Sequence, residues 1–536
     1  MRFLISIISL LFMGTSVSVQ GNGRFNVKEF GAKGDGKHID SPAINKAIEA
    51  ASQAGGGTVY FPAGTYASYS IRLQNHITLH LDNGAVLKAA IPTLEQGYDP
   101  AEENPHDKYQ DFGHSHWKNS LIWGIGLHDI TICGNGLIDG SEGLNRGLGR
   151  NDGVNAANKA IALKECHNVT IRDISMLKCG HFALLLTGVD NLTLDNMKVD
   201  TNRDAFDIDC CANVRVSNCT VNTLNDDAIV LKSSYGLGYA KPCENVTITN
   251  CQVSGYDPGS LLDGTFQKTI MKAPDQDGPT GRIKFGTESN GGFKNISISN
   301  CVFDRCRGLA LETVDGGIIE DITISNIAMR DIQNAPLYIR LGNRARGPKE
   351  STPVAQIRRI LISNIVVKNA DCRYASIIAG IPGHPIEDVT LENIYIQYKG
   401  GLSMKEAAEQ PNDLINNFFT RKEPISSRNP YDVPIREKDY PEPSTMGILP
   451  AYGLFVNYAE GLKVKNVRFE VIKEDKRPVI TLMNVNNARF NDITVDKSSD
   501  APFFVLRNVT DFQARDVEKM KDILITDSKA MLEIKD

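Results

Sequence analysis

The sequence predicts an all-β protein folded as a single-stranded, right-handed parallel β-helix with an N-terminal capping helix. A short motif with an apolar residue at every second position recurs from Asn168, Asn191 and Asn213, a period of about 22 residues. The alternation indicates short half-buried strands, and its repetition at this length indicates a solenoid. A leucine-rich-repeat array is the alternative, but the helical half of each repeat is missing. Further copies begin at Asn245, Asn295, Asp321, Arg359 and Asp388, and weaker ones at Gly461 and Asn487.

The first 21 residues have the pattern of a secretory signal peptide. Arg2 supplies the positive end, residues 3–13 the apolar run, and Gly14 begins a stretch of small residues. The apolar run is too short to be a transmembrane helix. We therefore expect an exported protein, periplasmic or extracellular, with no membrane partner.

The next segment predicts the capping helix. A glycine-rich turn precedes Asp40 or Ser41 as the helix cap, and Pro42 lies in the first turn. Apolar residues follow at helical spacing, which predicts an amphipathic helix over the open end of the solenoid. Residues 55–66 then read as strand, turn, strand. The helical apolar residues are Ala43, Ile44, Ala47 and Ile48.

Two side-chain columns follow from the repeat. One repeat position holds Cys219, Cys251 and Cys301, but isoleucine or methionine in other copies, which predicts buried, reduced thiols. Another position holds asparagine, and we expect its amides to satisfy backbone groups left unpaired at each bend. The asparagines are Asn196, Asn218, Asn250, Asn300, Asn326, Asn364 and Asn393.

Longer intervals between copies predict loop insertions that leave the coil. The largest lie near residues 255–282 and 400–453 and would wall a groove on one face. The pattern weakens after Asp511, where the chain would fray or cap the solenoid. We expect one catalytic β-helix domain over residues 22–536, with no linker dividing it.

Composition excludes some function classes. The chain has 536 residues, a formal net charge of −6 and 7% aromatic residues, so nothing indicates a nucleic-acid binder. Its eleven cysteines show no spacing typical of a zinc site. We predict a monomer without a metal or other cofactor.

The candidate catalytic residues lie between Thr201 and Ser234. One acidic cluster includes Asp204, and a second, one repeat later, is Asp226 and Asp227. Residues one repeat apart lie side by side on neighbouring strands of a solenoid. Neighbouring carboxylates raise one another's pKa, so one stays protonated and an acid lies beside a base. That pairing serves glycoside hydrolysis.

These segments resemble the polygalacturonase family, glycoside hydrolase family 28, with its pectin-lyase-like solenoid. Asn202-Arg203-Asp204 looks like the family's N-T-D element, and Asn225-Asp226-Asp227 looks like its D-D element. The strings NSLIWG and GTESNGG are also similar to bacterial members. The resemblance implies inversion, with Asp226 as general acid and with Asp204 and Asp227 holding and deprotonating the water. Inversion predicts carboxyl groups roughly 6.5–9.5 Å apart.

The departures concern the substrate. The family's G-H-G position falls at residues 280–282 without its histidine, and its R-I-K position falls at residues 310–312, where Ala310 and Glu312 replace Arg and Lys. In the family, that Arg and Lys hold a substrate carboxylate. Their loss favours a modified or branched pectin, or exo action on one linkage. Glu312 would bind sugar hydroxyls or act as an auxiliary carboxylate.

Strand alternation predicts which other side chains face the aspartates. Basic residues on that face suit an anionic sugar, and Tyr338 would stack on a sugar ring or cover the strand. The predicted substrate-binding residues are Asn202, Lys232, Arg282, Lys284, Glu312, Tyr338 and Arg340.

The sequence thus favours an inverting hydrolase of pectic polysaccharide or its oligosaccharides, exo-acting on a linkage that contains galacturonic acid. A rhamnogalacturonan-type hydrolase of decorated pectin is the alternative. A pectate-type lyase, which needs a basic residue and usually calcium, and a non-catalytic carbohydrate-binding β-helix also remain open.

Overall fold

The chain is a right-handed parallel β-helix in which three sheets run the length of the molecule. The predicted signal segment and parts of both predicted insertions lie outside the residues described. The computed structural model describes residues 23–110, 114–145, 150–151, 154–272, 278–415, 429–498, 500–518 and 520–535.

The first sheet carries the predicted catalytic segment. Its strands pair in register from one coil to the next, as Phe206 does with Ile229. The strands are Ile71–Arg72, Ile122–Ile125, Lys159–Lys164, Phe182–Thr187, Asp204–Asp209, Ile229–Ser233, Ile283–Ser289, Leu309–Thr313, Leu337–Leu341 and Ser376–Ala379.

The other two sheets complete each coil. Strands of the second are Arg24–Asn26, Gly57–Phe61, Ile77–Leu81, His128–Cys133, His167–Arg172, Asp190–Asp195, Ala212–Ser217 and Cys243–Thr249. Strands of the third are Asp35–Ile39, Gly64–Ser68, Ala85–Ala89, Leu137–Asp139, Ser175–Leu177, Lys198–Thr201, Thr220–Thr223 and Gln252–Ser254.

In the later coils, one long bent strand passes through both the second and the third sheet. In the last coils, one strand passes through all three sheets. The long strands are Phe293–Asp304, Ile318–Arg330, Gln356–Ala370, Ile386–Gly400, Leu454–Lys473, Ile480–Val495 and Phe504–Val517. A two-residue hairpin, Arg150–Asn151 with Val154–Asn155, lies outside the coils.

The N-terminal helix forms as predicted, over Ser41–Gln53, and buries Ile44, Ala47 and Ile48. Its N-cap residue is Asp40, one of the two predicted, but the side chain does not cap the helix. The Asp40 carboxylate makes no bond to the helix and instead accepts from the backbone N–H groups of Lys33 and Gly34, at 2.7 and 3.0 Å. Asp40 therefore fixes the preceding glycine-rich turn.

The C-terminal end is capped by two antiparallel strands, Ile523–Ser528 and Leu532–Ile534, on the last coil. Capping, rather than fraying, is thus the outcome of the weaker pattern after Asp511. The helices of the described residues are Ser41–Gln53 and Met404–Glu409, with 3₁₀ turns at Val27–Phe30, Asp107–Tyr109 and Pro443–Met446. A leucine-rich-repeat array, with a helix in each repeat, is therefore wrong.

The core is a continuous apolar stack inside the coils. Cys301 pairs in register with Ile327, which pairs with Ile365, so the predicted cysteine–isoleucine column exists. All eleven cysteines are unpaired thiols, and all but Cys372 are buried. They act as small apolar core residues.

The asparagine ladder is present, but its hydrogen bonds differ from those predicted. Each amide donates to the residue one coil before it, as Asn326 does to Asn300 at 3.1 Å and Asn364 to Asn326 at 3.0 Å. The asparagines also occupy positive φ, 58° at Asn326. Asparagine is selected here because it tolerates the left-handed conformation and links successive bends.

The two main insertions leave the coil where the spacing predicted. One lies between Ser254 and Ile283, and the other between Gly400 and Leu454. The second packs on the outer face of the first sheet, where Tyr431, Met446 and Leu449 join a separate apolar cluster. No helix in the described parts of the chain is long and apolar enough to cross a bilayer.

Candidate active site

Two short segments stack residue upon residue on the outer face of the first sheet. The Asn225 amide donates to the Asn202 amide oxygen at 2.8 Å, and Arg203 donates to Asp226 at 2.6 Å. The Ala205 N–H donates to the Asp227 carbonyl at 3.1 Å, which places Asp204 beside Asp227. Carboxylate oxygens of Asp204, Asp226 and Asp227 lie within 4.8 Å of one another. The one-repeat offset therefore brings the three predicted catalytic aspartates together.

The carboxyl separation differs from the one expected for inversion. The nearest oxygens are within 4.8 Å, closer than the interval of roughly 6.5–9.5 Å predicted between the carboxyl groups. An inverting mechanism is therefore supported by the resemblance to the family, and not by the distance between the carboxyl groups.

The environments of Asp204 and Asp226 push their proton affinities apart. Burial, together with the charge of Asp226, raises the pKa of Asp204 to about 8. Burial also acts on Asp226, but the Arg203, Lys284 and Lys232 charges outweigh it and hold the pKa of Asp226 well below its usual range. Near neutral pH, Asp204 is thus the protonated member of the pair and Asp226 the carboxylate. The sequence predicted the opposite distribution, because it gave no partner to Arg203.

Two basic residues of the next coil contact Asp227. Arg282 Nε donates to Asp227 Oδ1 at 2.9 Å, and Lys284 Nζ lies 3.2 Å from Asp227 Oδ2. Both cations are buried, so their charges are weakly screened. They put positive charge at the edge of the aspartate cluster.

These residues also bear on the family's missing R-I-K element. Arg282-Ile283-Lys284 itself reads R-I-K, one coil before the position at which the resemblance places it. Lys284 pairs in register with Ala310, which occupies the expected arginine position. An arginine and a lysine thus occupy this face after all, displaced by one coil. The sequence contained this signal, but the alignment assigned the string to the G-H-G position.

Glu312 faces these cations from the following coil. Its oxygens lie 3.7 Å from Arg282 and 3.6 Å from Lys284, and neither makes a hydrogen bond among the described residues. Burial raises the pKa of Glu312 to about 7, against the opposing effect of Lys284 and Arg282. Glu312 therefore occupies the site as a polar group whose hydrogen-bonding capacity is unused.

Lys232 belongs to a second charged group, beside the aspartates. Its ammonium lies 2.9 Å from Asp207 and 3.6 Å from Glu288, and it also contacts His114. His114 Nε2 lies 3.1 Å from the same Asp207 oxygen. His114 comes from the long segment between the strands Ala85–Ala89 and Ile122–Ile125, which has no repeat pattern. Sequence reasoning missed it for that reason.

Arg340 is bonded to the protein backbone, and Tyr338 is buried, with a hydroxyl that has no hydrogen-bond partner among the described residues. The Arg340 guanidinium donates to the backbone carbonyls of Gly380, at 3.2 Å, and of Ile435. Tyr338 is 1% exposed and lies in the apolar cluster beneath the second insertion. The predicted substrate contact by Arg340 is replaced by a structural one, and Tyr338 covers the strand.

The second insertion supplies two residues that the sequence did not single out. Glu442 accepts from Arg282 at 2.7 Å and from Arg307 at 2.9 Å. The Tyr440 hydroxyl accepts from Lys284 at 3.1 Å. The insertion is irregular, so neither position could be read from the repeat.

The carboxylates are neutralised by cations of the chain itself. Arg203 contacts Asp226, Arg282 and Lys284 contact Asp227, and Lys232 contacts Asp207. The cluster therefore has acid and base groups, and basic groups that bind carboxylates, within one buried patch. This arrangement suits proton transfer to and from an anionic sugar.

Two family models match consecutive parts of the chain. Residues 24–97 match rhamnogalacturonase A/epimerase, pectate lyase-like. Residues 107–261, which include Asp204, Asp226 and Asp227, match glycosyl hydrolases family 28.

Curated and solved proteins agree with these matches. A probable polygalacturonase of Vitis vinifera is 24% identical over 396 residues, covering 69% of this chain and 73% of its own length. Among solved structures, an exopolygalacturonase of Thermotoga maritima has a TM-score of 0.56 at 19% identity, covering 70% of this chain and 88% of its own. A family 28 exopolygalacturonase of Yersinia enterocolitica also has a TM-score of 0.56, at 17% identity, covering 91% and 78%.

At these identities, the solved structures support the fold. The family models and the curated relative support the resemblance to the family. The segment that matches glycosyl hydrolases family 28 contains the stacked aspartates, so the resemblance to this family is confirmed over residues 107–261, and the matches support a glycoside hydrolase.

Proposed function

We propose that the chain hydrolyses a glycosidic bond in pectic polysaccharide or its oligosaccharides, acting from a chain end on a linkage that contains galacturonic acid. The observation that carries this proposal is the buried patch in which Asp204, Asp226 and Asp227 lie within 4.8 Å of one another beside Arg282 and Lys284. Carboxylates supply the acid and base, and the basic groups select a uronic acid over a neutral sugar.

In the proposed mechanism, Asp226 protonates the leaving glycosidic oxygen. Asp204 and Asp227 hold the attacking water and take its proton. These roles require the proton of the unliganded site to move from Asp204 to Asp226 before the bond breaks. The two carboxylates are close enough for this transfer, directly or through one water molecule.

The charge pattern supports an anionic substrate. Lys284 and Arg282 have carboxylate partners in the free protein, but Glu312 lies farther from them than a direct charge-assisted bond. Because burial raises the pKa of Glu312 to about 7, Glu312 takes up a proton readily and then no longer competes with a substrate carboxylate for these two cations.

The second insertion supports action from a chain end. Tyr440 and Glu442 contact Lys284 and Arg282, and Met446 and Leu449 anchor the same segment to the sheet. The insertion therefore stands beside the catalytic patch. A wall at this place favours binding of a chain terminus over the middle of a polymer.

A product assay tests the proposal. The chain without residues 1–21 is incubated with polygalacturonan, its short oligomers and rhamnogalacturonan oligosaccharides, and products are separated by chromatography. Release of galacturonic acid from oligomer ends is expected. Release of sugar from the rhamnogalacturonan oligosaccharides alone would indicate that decorated pectin is the substrate.

The same assay distinguishes the other chemistries. A chelator should leave the rate unchanged, and no unsaturated product should absorb in the ultraviolet. Chelator-sensitive formation of an absorbing product would establish a lyase instead. Binding of an oligosaccharide without any product would establish a carbohydrate-binding role.

A further inference from the structure

Arg203 is the residue of the stacked segments that the family pattern does not account for. It stands between Asn202 and Asp204, where the N-T-D element has threonine. Its Nη2 donates to Asp226 Oδ2 at 2.6 Å. Arg203 thus binds the group that must act as the acid.

The ion pair between Arg203 and Asp226 is formed, and both side chains are partly exposed to solvent. The Arg203 and Asp226 side chains are 19% and 24% exposed, whereas Asp204 and Asp227 are each 3% exposed. Among the described residues, the buried Arg203 Nε has no hydrogen-bond partner. The guanidinium therefore has an unused donor at the buried Nε, while the rest of the side chain is partly exposed.

Several charges act on Asp226. The positive charges of Arg203, Lys284, Lys232 and His181 all lower its pKa, against the effect of burial. Asp204 is the negative group that opposes them. Arg203 makes a direct bond to the Asp226 carboxylate, so its movement changes the charge balance of Asp226.

Building on the proposed function, we propose that Arg203 is a positioning residue that holds Asp226 as a carboxylate in the empty site and releases it when a substrate carboxylate binds the guanidinium. The ligand class is a uronic acid unit next to the bond that is cut. Binding of a charged substrate thereby allows Asp226 to take up a proton and act as the general acid.

The exchange balances in charge and protons. The substrate carboxylate replaces the Asp226 carboxylate as the partner of Arg203, so one ion pair forms as another breaks. The proton carried by Asp204 then moves to Asp226, which passes it to the leaving oxygen. Asp204 and Asp227, now both ionised, take the proton released by the attacking water.

This exchange provides selectivity that binding contacts alone would not give. A neutral sugar can occupy the cleft, but it offers no carboxylate to Arg203, so Asp226 remains ionised and cannot donate a proton. The discrimination between charged and neutral sugars should therefore appear in kcat rather than only in KM.

The experiment compares the wild type with Arg203→Met and with Arg203→Lys, the variant that keeps the charge. Substrates are a galacturonate oligomer and the same oligomer with its carboxylates reduced to neutral sugars. We measure kcat and KM from pH 4 to 9. The wild type should favour the charged oligomer in kcat by about a hundredfold, a difference typical of general acid catalysis.

In Arg203→Met, the preference should fall to about tenfold or less, because kcat for the neutral oligomer rises and kcat for the charged one falls. Removing the positive charge raises the pKa of Asp226, so the alkaline limb of kcat for the neutral oligomer should move to higher pH. Arg203→Lys should keep most of the preference. Circular dichroism and thermal unfolding check the fold, and Arg203→Gln serves as a second variant if Arg203→Met does not fold.

Equal losses of kcat on both oligomers, with the alkaline limb unmoved, would show that Arg203 is structural and would overturn the inference. A wild type that cleaves both oligomers at similar kcat would also overturn it, while leaving the proposed function intact. A wild type that cleaves neither would remove the proposed function, and this inference with it.

Discussion

At the scale of single residues, two neighbouring aspartates of the candidate site differ in their affinity for a proton. Asp204 is buried beside the negative charge of Asp226, and its pKa rises to about 8. Asp226 has Arg203 at 2.6 Å and stays ionised. The same residue type thus takes two protonation states within one cluster, because Asp226 contacts a guanidinium directly, whereas Lys232 and Arg203 only partly offset the effect of burial on Asp204.

This asymmetry predicts a pH-dependent stability. Between about pH 4.5 and 8, the unfolded chain has lost the Asp204 proton, whose ordinary pKa is 3.8, while the native state still holds it. Native stability therefore falls as pH rises through this window. Asp204→Asn removes this loss, so the melting temperature of the variant relative to wild type should rise by roughly 2–4 °C from pH 4.5 to 8. Scanning calorimetry at both pH values measures it, and a constant difference would contradict the account.

At the residue scale, some contacts of the site could be predicted from the sequence and others could not. The stacking of residues 202–204 on 225–227 follows from the repeat period, because a fixed offset sets strand register. The contacts of His114 and Glu442 could not be predicted, because both lie in irregular segments that return to the sheet from distant parts of the chain. Arg203 lay within the recognised motif, but its partner depended on side-chain direction.

At the scale of elements, the bends are fixed by asparagine for two reasons. The residue occupies a left-handed conformation, and its amide bonds the coil before it. The sequence predicted the ladder but not its partners, because periodicity shows which residues stack and not where each amide points.

Asn326 offers a test of these two contributions. Asn326→Ala forces an alanine into a φ of 58° and removes bonds to Asn300 and Asn364, so it should lower the free energy of unfolding by about 1–3 kcal/mol. Asn326→Gly relieves the backbone and should cost roughly half as much. Urea unfolding of both variants provides the values. Equal losses would show that the left-handed backbone contributes nothing.

The second insertion is the element that we expect to set product length. Tyr440→Ala removes the ring and hydroxyl next to Lys284, which should open the wall and add longer oligomers to the products. Tyr440→Phe keeps the ring and serves as the matched control, with products close to wild type. Chromatography of early products distinguishes them. An unchanged product pattern in Tyr440→Ala would mean that Tyr440 does not limit the cleft.

At the scale of the whole molecule, the sequence repeat determines which side chains form the core of the solenoid and which line its outer face. Inward residues such as Ile229 and Phe285 build one continuous core, and the side chains between them line a single outer face. This is why the fold could be predicted from the alternation and its repeat period, and the position of the aspartates from the offset of one repeat. What closes the face, including Tyr440 and Glu442, comes from outside the repeat and required the structure.

The measurement that tests the central claim most directly is the rate of hydrolysis of galacturonate oligomers by wild type and Asp226→Asn. The amide of the variant cannot donate a proton as an acid, so the rate should fall by about 10²–10⁴ while circular dichroism and the melting curve remain those of a folded β-helix. Asp516→Asn, at an exposed position of the strand Phe504–Val517 with a φ of 51°, is the matched control and should retain the wild-type rate. A folded Asp226→Asn protein within about tenfold of the wild-type rate would contradict the assignment of the acid, because general acid catalysis contributes more than that.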